Sequence, residues 1–215
     1  MRTFDTYIFD LDGTLLYTLD DLTASTNYTM SKFGFPEHSV DEVRLMVGNG
    51  IRKLIERAIP EGTANPKYED AYSTFISYYL KHNLDTTRPY TGIIETLEAL
   101  KAQSKRIAVV SNKYCKATEH LCETFFKGYV EVAIGESENI RKKPAPDTVI
   151  EAMKRLGADK EKAVYIGDSE VDIETARYCG IPCISVLWGF RDRQFLISHG
   201  ATTFIEKPNE LLTEG

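Results

Sequence analysis

Six short β-prone runs, most of them ending in Gly, Asp or Ser, limit this chain more tightly than any other feature of its sequence. They are residues 4–10 (FDTYIFD), 106–111 (RIAVVS), 130–135 (VEVAIG), 163–167 (AVYIG), 183–187 (CISVL) and 202–205 (TTFI). Several are apolar almost without interruption, the pattern of strands buried on both faces. Helical periodicity fills the gaps between the later runs. Val149, Met153 and Leu156 share one stripe, and Ile173 and Ala176 share another that Gly180 terminates. Strands alternating with helices predict an α/β fold on a doubly wound, Rossmann-like parallel sheet.

One interval breaks the alternation. Residues 11–105 separate the first run from the second, whereas a parallel crossover needs only about a dozen residues or somewhat more. The excess is helical: Ile51, Leu54, Ile55, Ala58 and Ile59 make one amphipathic stripe, and Tyr68, Ala71, Tyr72, Phe75, Ile76, Tyr79 and Leu80 a longer one. Residues 16–86 are therefore expected to form an inserted α-helical subdomain, with 1–15 and 87–215 making the α/β core. Pro89 and Gly92 mark the return, and Ile93, Leu97 and Leu100 open the true crossover helix.

Composition narrows the function. With 42% hydrophobic and 27% charged residues the chain is an ordinary globular one. Its 32 acids against 26 bases give a formal charge of -6, without any Lys/Arg block to neutralise a run of phosphates, which argues against a nucleic-acid partner. No stretch of about 18 apolar residues is present, and MRTFDTYIFD lacks a signal peptide's long apolar core. No membrane partner and a cytoplasmic location are expected. Cys115, Cys122, Cys179 and Cys183 lack the paired spacing of a zinc site and read as free thiols.

In an open parallel sheet, ligands bind beyond the carboxyl ends of the strands. The first run ends there in Asp10-Leu11-Asp12-Gly13-Thr14, the second in Ser111-Asn112-Lys113, and the fourth in Gly167-Asp168-Ser169-Glu170-Val171-Asp172. Lys143-Pro144-Ala145-Pro146 precedes the helix leading into that fourth strand. Carboxylates that converge repel one another and persist together chiefly when a cation or proton relieves them. Hard oxygen donors of this kind suit Mg²⁺, with Asp10 and Asp168 as the natural carboxylate ligands. Ser111 can donate to a phosphate oxygen and Lys143 can set a positive charge beside it, so the set is complementary to a phosphoryl group.

Blander roles compete for several of these residues. Asp10 and Asp12 could be turn formers after a strand. Ser169-x-x-Asp172 fits a capping box, Ser111 and Asn112 could cap the next helix, and Lys143 could be a solvated lysine. Gly48-Asn49-Gly50 could simply end one helix and open another, with Gly48 left-handed. The functional alternative gives the N–H groups of Gly48, Asn49 and Gly50, with Arg52 or Lys53 nearby, to an anionic part of a substrate. Trp188 and Gly189 read as packing and turn residues.

Taken in order, these elements resemble the haloacid dehalogenase superfamily in its magnesium-dependent phosphatase branch. The D-x-D-G-T motif is Asp10 to Thr14, the second motif Ser111, the third Lys143 and the fourth Gly167-Asp168 with Asp172. The resemblance implies that Asp10 attacks phosphorus to form an aspartyl-phosphate, which water then hydrolyses, with Asp12 acting first as general acid and then as base. It also implies that Asp12 offers its carbonyl to the metal and that Asp172 supports the metal from behind. Gly13, Ser111, Asn112 and Lys143 would line the phosphate. The helical insertion is similar to the family's C1 cap, which implies exclusion of water and a small phosphorylated metabolite as substrate. Val47 to Gly50 and Trp188-Gly189 look most like the phosphoglycolate phosphatase group, acting as monomer or homodimer. Tyr17 departs from the pattern, since similar phosphatases commonly carry an acid there. A β-phosphoglucomutase-like mutase, a pyrophosphatase or nucleotidase of the same family, and a receiver module phosphorylated on aspartate are the alternatives.

Overall fold

A computed structural model describes residues 4–212 of the chain. Among them no helix is long and apolar enough to cross a membrane. By its contacts the chain divides into two compact units, Met1–Leu16 with Pro89–Gly215, and Tyr17–Arg88.

In chain order the elements begin with β1 (Thr6–Phe9) and β2 (Leu16–Tyr17), followed by the helices α1 (Leu19–Phe33), α2 (Val40–Met46), α3 (Ile51–Ala58) and α4 (Tyr68–His82). Then come β3 (Arg88–Pro89), α5 (Ile93–Ala102), β4 (Arg106–Tyr114), α6 (Cys115–Phe126) and β5 (Val132–Glu136). The chain closes with α7 (Asp147–Leu156), β6 (Ala163–Gly167), α8 (Glu170–Cys179), β7 (Cys183–Val186), α9 (Arg193–Ser198) and β8 (Phe204–Ile205). β2 and β3 form a two-stranded sheet, and the remaining strands form one sheet in the order β5-β4-β1-β6-β7-β8. Every pairing in that sheet is parallel. All six runs marked in the sequence are therefore strands of one sheet.

Alternation along the central strands feeds two cores. Tyr7 and Phe9 of β1, Ile107 and Val109 of β4, and Val164 and Ile166 of β6 face α5 and α6, where Leu97, Leu100, Leu121 and Phe126 meet them. Ile8, Ala108, Val110 and Tyr165 take the other face, against Val149, Ala152 and Leu156 of α7 and Ala176 of α8. Each such aliphatic side chain contributes roughly 1.5–3 kcal/mol by leaving water, which is why these strands carry no polar face. The register sets the site: Phe9 lies opposite both Val109 and Ile166. Asp10, Ser111 and Asp168, one or two residues further on, thus lie at the same carboxyl end of the sheet. β4 runs three residues past the expected end at Ser111, with an irregularity in its pairing to β5 between Val110 and Tyr114.

The unit Tyr17–Arg88 holds α1 to α4, with α1 packed on α2, α3 and α4. Leu54, Ile55, Ala58 and Ile59 are buried as their periodicity requires, and so are Tyr68, Ala71, Phe75 and Tyr79. Leu80, expected in the same stripe, is 48% exposed, because it falls one position past Tyr79 and so about 100° further round the helix. The buried side of α1 is largely hydroxylic. Thr23, Ser25, Thr26 and Thr29 each bond the carbonyl four residues back, so these hydroxyls enter the interior satisfied. Asp21, also buried, accepts from the Thr86 and Thr87 backbone N–H groups, tying the start of this unit to its end.

Candidate active site

The side chains around Asp10, Asp168 and Asp172 all belong to the sheet-bearing unit. Asp10 is the residue immediately after β1, and its backbone N–H donates to the Ile166 carbonyl at 2.9 Å. Its carboxylate meets the Lys143 ammonium at 2.8 Å. Lys143 Nζ also lies 2.8 Å from Asp172 Oδ1 and donates to the Tyr165 hydroxyl at 3.0 Å. The lysine side chain is 2% exposed, which excludes a solvated role. Asp168 accepts from the Phe190 N–H at 2.7 Å and from the Thr14 hydroxyl at 3.3 Å. Asp172 is filled on both oxygens: Lys143 and Tyr165 on one, the Ser169 N–H and hydroxyl on the other. Its capping and its hold on Lys143 are thus simultaneous.

Three glycines make room for the acids. A Cβ on Gly13 would collide with the Asp168 carboxylate, and one on Gly167 with Asp172. A Cβ on Gly189 would meet Asp168 and the Gly13 carbonyl. Since backbone cannot move aside cheaply, Gly189→Ala is expected to shift Asp168 and to cost about 1–3 kcal/mol of stability through overpacking. Thermal melting would show a lowered transition, and turnover would fall with it.

Ligand atoms of Asp10, Asp168 and Asp172 lie within 4.8 Å of one another. Burial pushes the Asp10 carboxyl up to about 7 against the pull of Lys143, and Asp172 adds to the rise. Burial also holds Asp168 well above the carboxylate range, assisted by the charges of Asp172 and Asp10. For Lys143 burial acts against the charge, yet Asp10 and Asp172 keep the ammonium above its ordinary value. One lysine does not neutralise three buried acids, and a compact set of hard oxygen donors short of positive charge fits a divalent cation such as Mg²⁺.

The other expected residues divide between the two units. Ser111 is buried and its hydroxyl oxygen accepts from the Lys113 N–H at 3.1 Å, which leaves its O–H free to donate elsewhere. Asn112 donates to the Lys143 carbonyl at 3.0 Å. The next helix, α6, takes Tyr114 as its N-cap residue, so neither Ser111 nor Asn112 occupies that position. Asp12 stands outside the three-acid cluster, with the Lys113 ammonium against its two oxygens at 2.8 and 3.0 Å. Gly48, Asn49, Gly50 and Arg52 belong to the helical unit. There Gly48 and Gly50 have φ of 113° and 86°, Gly50 is the N-cap of α3, and Asn49 accepts from Arg57. Arg52 is held by Glu69 at 2.9 Å and lies over the Tyr72 ring. Tyr17 donates to Asp20 at 2.7 Å under the Arg88 guanidinium.

Sequence reasoning missed Lys113, Tyr165 and Phe190. Lys113 carried a usable signal, because it stands two residues after Ser111 and two-residue spacing returns to the same side of a strand. Trp188, read as packing, donates its indole N–H to the Thr14 carbonyl at 2.9 Å and so braces the D-x-D-G-T loop.

A family model described as haloacid dehalogenase-like hydrolase matches residues 7–186. The chain belongs to this family. Among haloacid dehalogenase-like hydrolases it is 33% identical over 185 residues to the phosphoglycolate phosphatase of Aquifex aeolicus, covering 85% of this chain and 84% of that one. It is also 31% identical over 209 residues to the N-acetylmuramic acid 6-phosphate phosphatase of Pseudomonas aeruginosa, covering 95% and 92%. A crystal structure from Lactobacillus delbrueckii subsp. bulgaricus, of a protein provisionally named a phosphoglycolate phosphatase, superposes with a TM-score of 0.94 at 35% identity, covering 97% of both chains. The chain is thus a phosphatase of the haloacid dehalogenase-like family.

Proposed function

We propose that this phosphatase hydrolyses a small phosphomonoester through an aspartyl-phosphate on Asp10. The observation that carries the reading is the convergence of Asp10, Asp168 and Asp172 on one spot beside a single buried lysine. An Asp10 oxygen attacks phosphorus in line, the bond to the leaving oxygen breaks, and Asp12 delivers a proton to that oxygen. Water then attacks the same phosphorus, Asp12 takes its proton, and the Asp10 carboxylate is released. Lys143 offsets charge on the transferring group, while Asn112 fixes the backbone that presents it. Ser111 donates to a phosphate oxygen, and Gly13 lets the loop approach Asp168. Mg²⁺, held by Asp10 and Asp168 with the Asp12 carbonyl, and with Asp172 behind them, would supply the remaining positive charge at the phosphoryl oxygens.

The substrate belongs to the same proposal. The reaction names of the relatives point to phosphoglycolate and N-acetylmuramic acid 6-phosphate, and each of these molecules carries a carboxylate as well as a phosphate ester, adjacent in the first and across the sugar ring in the second. We therefore place 2-phosphoglycolate first and a small carboxylated phosphomonoester as the class. Backbone N–H groups at Gly48 to Gly50 are offered as a contact selecting an anionic substrate, and at Arg52 such an anion would compete with Glu69. The reading places the protein in the cytoplasm as monomer or homodimer, without a nucleic-acid partner. Phosphate release from 2-phosphoglycolate, N-acetylmuramic acid 6-phosphate, sugar phosphates, nucleotides and pyrophosphate tests it; preference for a carboxylated monoester supports it, and selective turnover of pyrophosphate or nucleotides overturns it.

Metal and protons compete for this cluster, and the sign follows from Asp10. A carboxyl raised to about 7 in the folded protein binds its proton more tightly there than in the unfolded chain, where it titrates near 3.9. The contribution to stability is present below pH ~4 and is lost as pH rises through ~7. Metal-free protein should therefore lose melting temperature across that window. Added Mg²⁺ should restore more at pH 8 than at pH 5, and a gain independent of pH would contradict the assignment.

A further inference from the structure

The two half-reactions just proposed give no part to Lys113, yet its placement is tightly built. Its side chain is 3% exposed. Its backbone is fixed on both sides, the N–H donating to Ser111 and the carbonyl accepting from Thr118 at 3.3 Å. Gly135 packs so closely that a Cβ there would meet the Lys113 carbonyl at 2.6 Å. From this anchored base the ammonium reaches both oxygens of Asp12, at 2.8 and 3.0 Å, and so sets the plane of that carboxylate.

Such a contact suits only one of the two forms that Asp12 must take. An ammonium has donors and no acceptor. Against a carboxylate, both contacts are charge-assisted hydrogen bonds. Against a carboxylic acid, one oxygen carries its own O–H and that contact sets donor against donor. Asp12 is an acid in the first half-reaction and an acceptor in the second. We propose that Lys113 is a positioning residue for the second, holding Asp12 ready to take a proton from the attacking water. This rests on the two-step reading above. In the step concerned, the water oxygen bonds to phosphorus, the bond from phosphorus to Asp10 breaks with its electron pair returning to Asp10, and the water proton passes to Asp12.

The test is partitioning of the phosphoenzyme. An aryl phosphate has a good leaving group, so its first step depends little on proton delivery and product appears as a burst. In Lys113→Met the steady rate is expected to fall on the order of 10²-fold while the burst rate stays within about threefold of wild type. Acid-quenched samples should hold more phosphoenzyme than wild type. Lys113→Arg, which keeps the charge, should recover most of the steady rate. Steady rate and phosphoenzyme level are divided by the burst amplitude, which counts the folded, active enzyme, so partial misfolding does not obscure the ratio. Equal loss in both steps, or a steady-state phosphoenzyme level unchanged from wild type, overturns the proposal. Absence of phosphoenzyme and burst from wild type, Asp12→Asn and Lys113→Met alike overturns the two-step reading itself, and this inference with it.

Discussion

Replacing Asp10 by Asn is expected to lower turnover of an aryl phosphate by at least about 10³-fold, or roughly 4 kcal/mol of barrier, without loss of the fold. The amide has no anionic oxygen to form the acyl-phosphate bond, so chemistry stops at its first step. Stability responds differently. Asp10 is buried beside Asp168 and Asp172, and as pH rises above about 7 its charge forms against the preference of its surroundings. A neutral isostere removes that repulsion, while Lys143 keeps its contact with Asp172. Melting of the metal-free variant at pH 8 should therefore match or exceed that of the wild type. Near-normal turnover would remove Asp10 as nucleophile; a collapsed fold would show that its charge is structural.

The second large effect is expected from Lys143→Met, which preserves length and removes the charge. Lys143 joins Asp10, Asp172 and Tyr165 at one buried point. Without it, among the described residues, Asp172 keeps Ser169 and Tyr165 and Asp168 keeps Phe190 and Thr14, all neutral donors. Breaking a buried pair by removing one partner costs about 3–5 kcal/mol, which for a chain of this size lowers the melting temperature on the order of 10 °C. The loss should be smaller at pH 5, where protons can replace the missing charge, than at pH 8. Added Mg²⁺ should recover part of the stability, but turnover should stay low because the charge that faced the transferring group is gone. A variant as stable and active as the wild type would show that Lys143 is incidental.

How much of this was legible in the sequence depended on where each residue's signal lay. Asp10, Ser111 and Asp168 could be read because each ends an apolar run, and a parallel sheet in register places those ends together at its carboxyl end. Lys143 could be read only through its place among the motifs, since nothing in Lys143-Pro144 itself states that the side chain is buried. Tyr165 was hidden inside AVYIG, where a tyrosine in an apolar strand reads as core; its ring does pack there, while its hydroxyl serves Lys143 and Asp172. The interior face of α1 escaped hydrophobic periodicity because Thr23, Ser25, Thr26 and Thr29 bury hydroxyls that the helix itself satisfies. Phe190 contributes a backbone N–H, to which side-chain identity is no guide.

One measurement goes to the heart of the account. Asp12→Asn keeps the nucleophile and removes the group that would take the proton from water, so a phosphoryl group delivered by an aryl phosphate should stay on the protein. After acid quenching and proteolysis, mass spectrometry should find one phosphoryl group on the peptide bearing residue 10 and none in the Asp10→Asn, Asp12→Asn double variant. Phosphoryl on another residue, or phosphate released with no adduct at any time point, would contradict it.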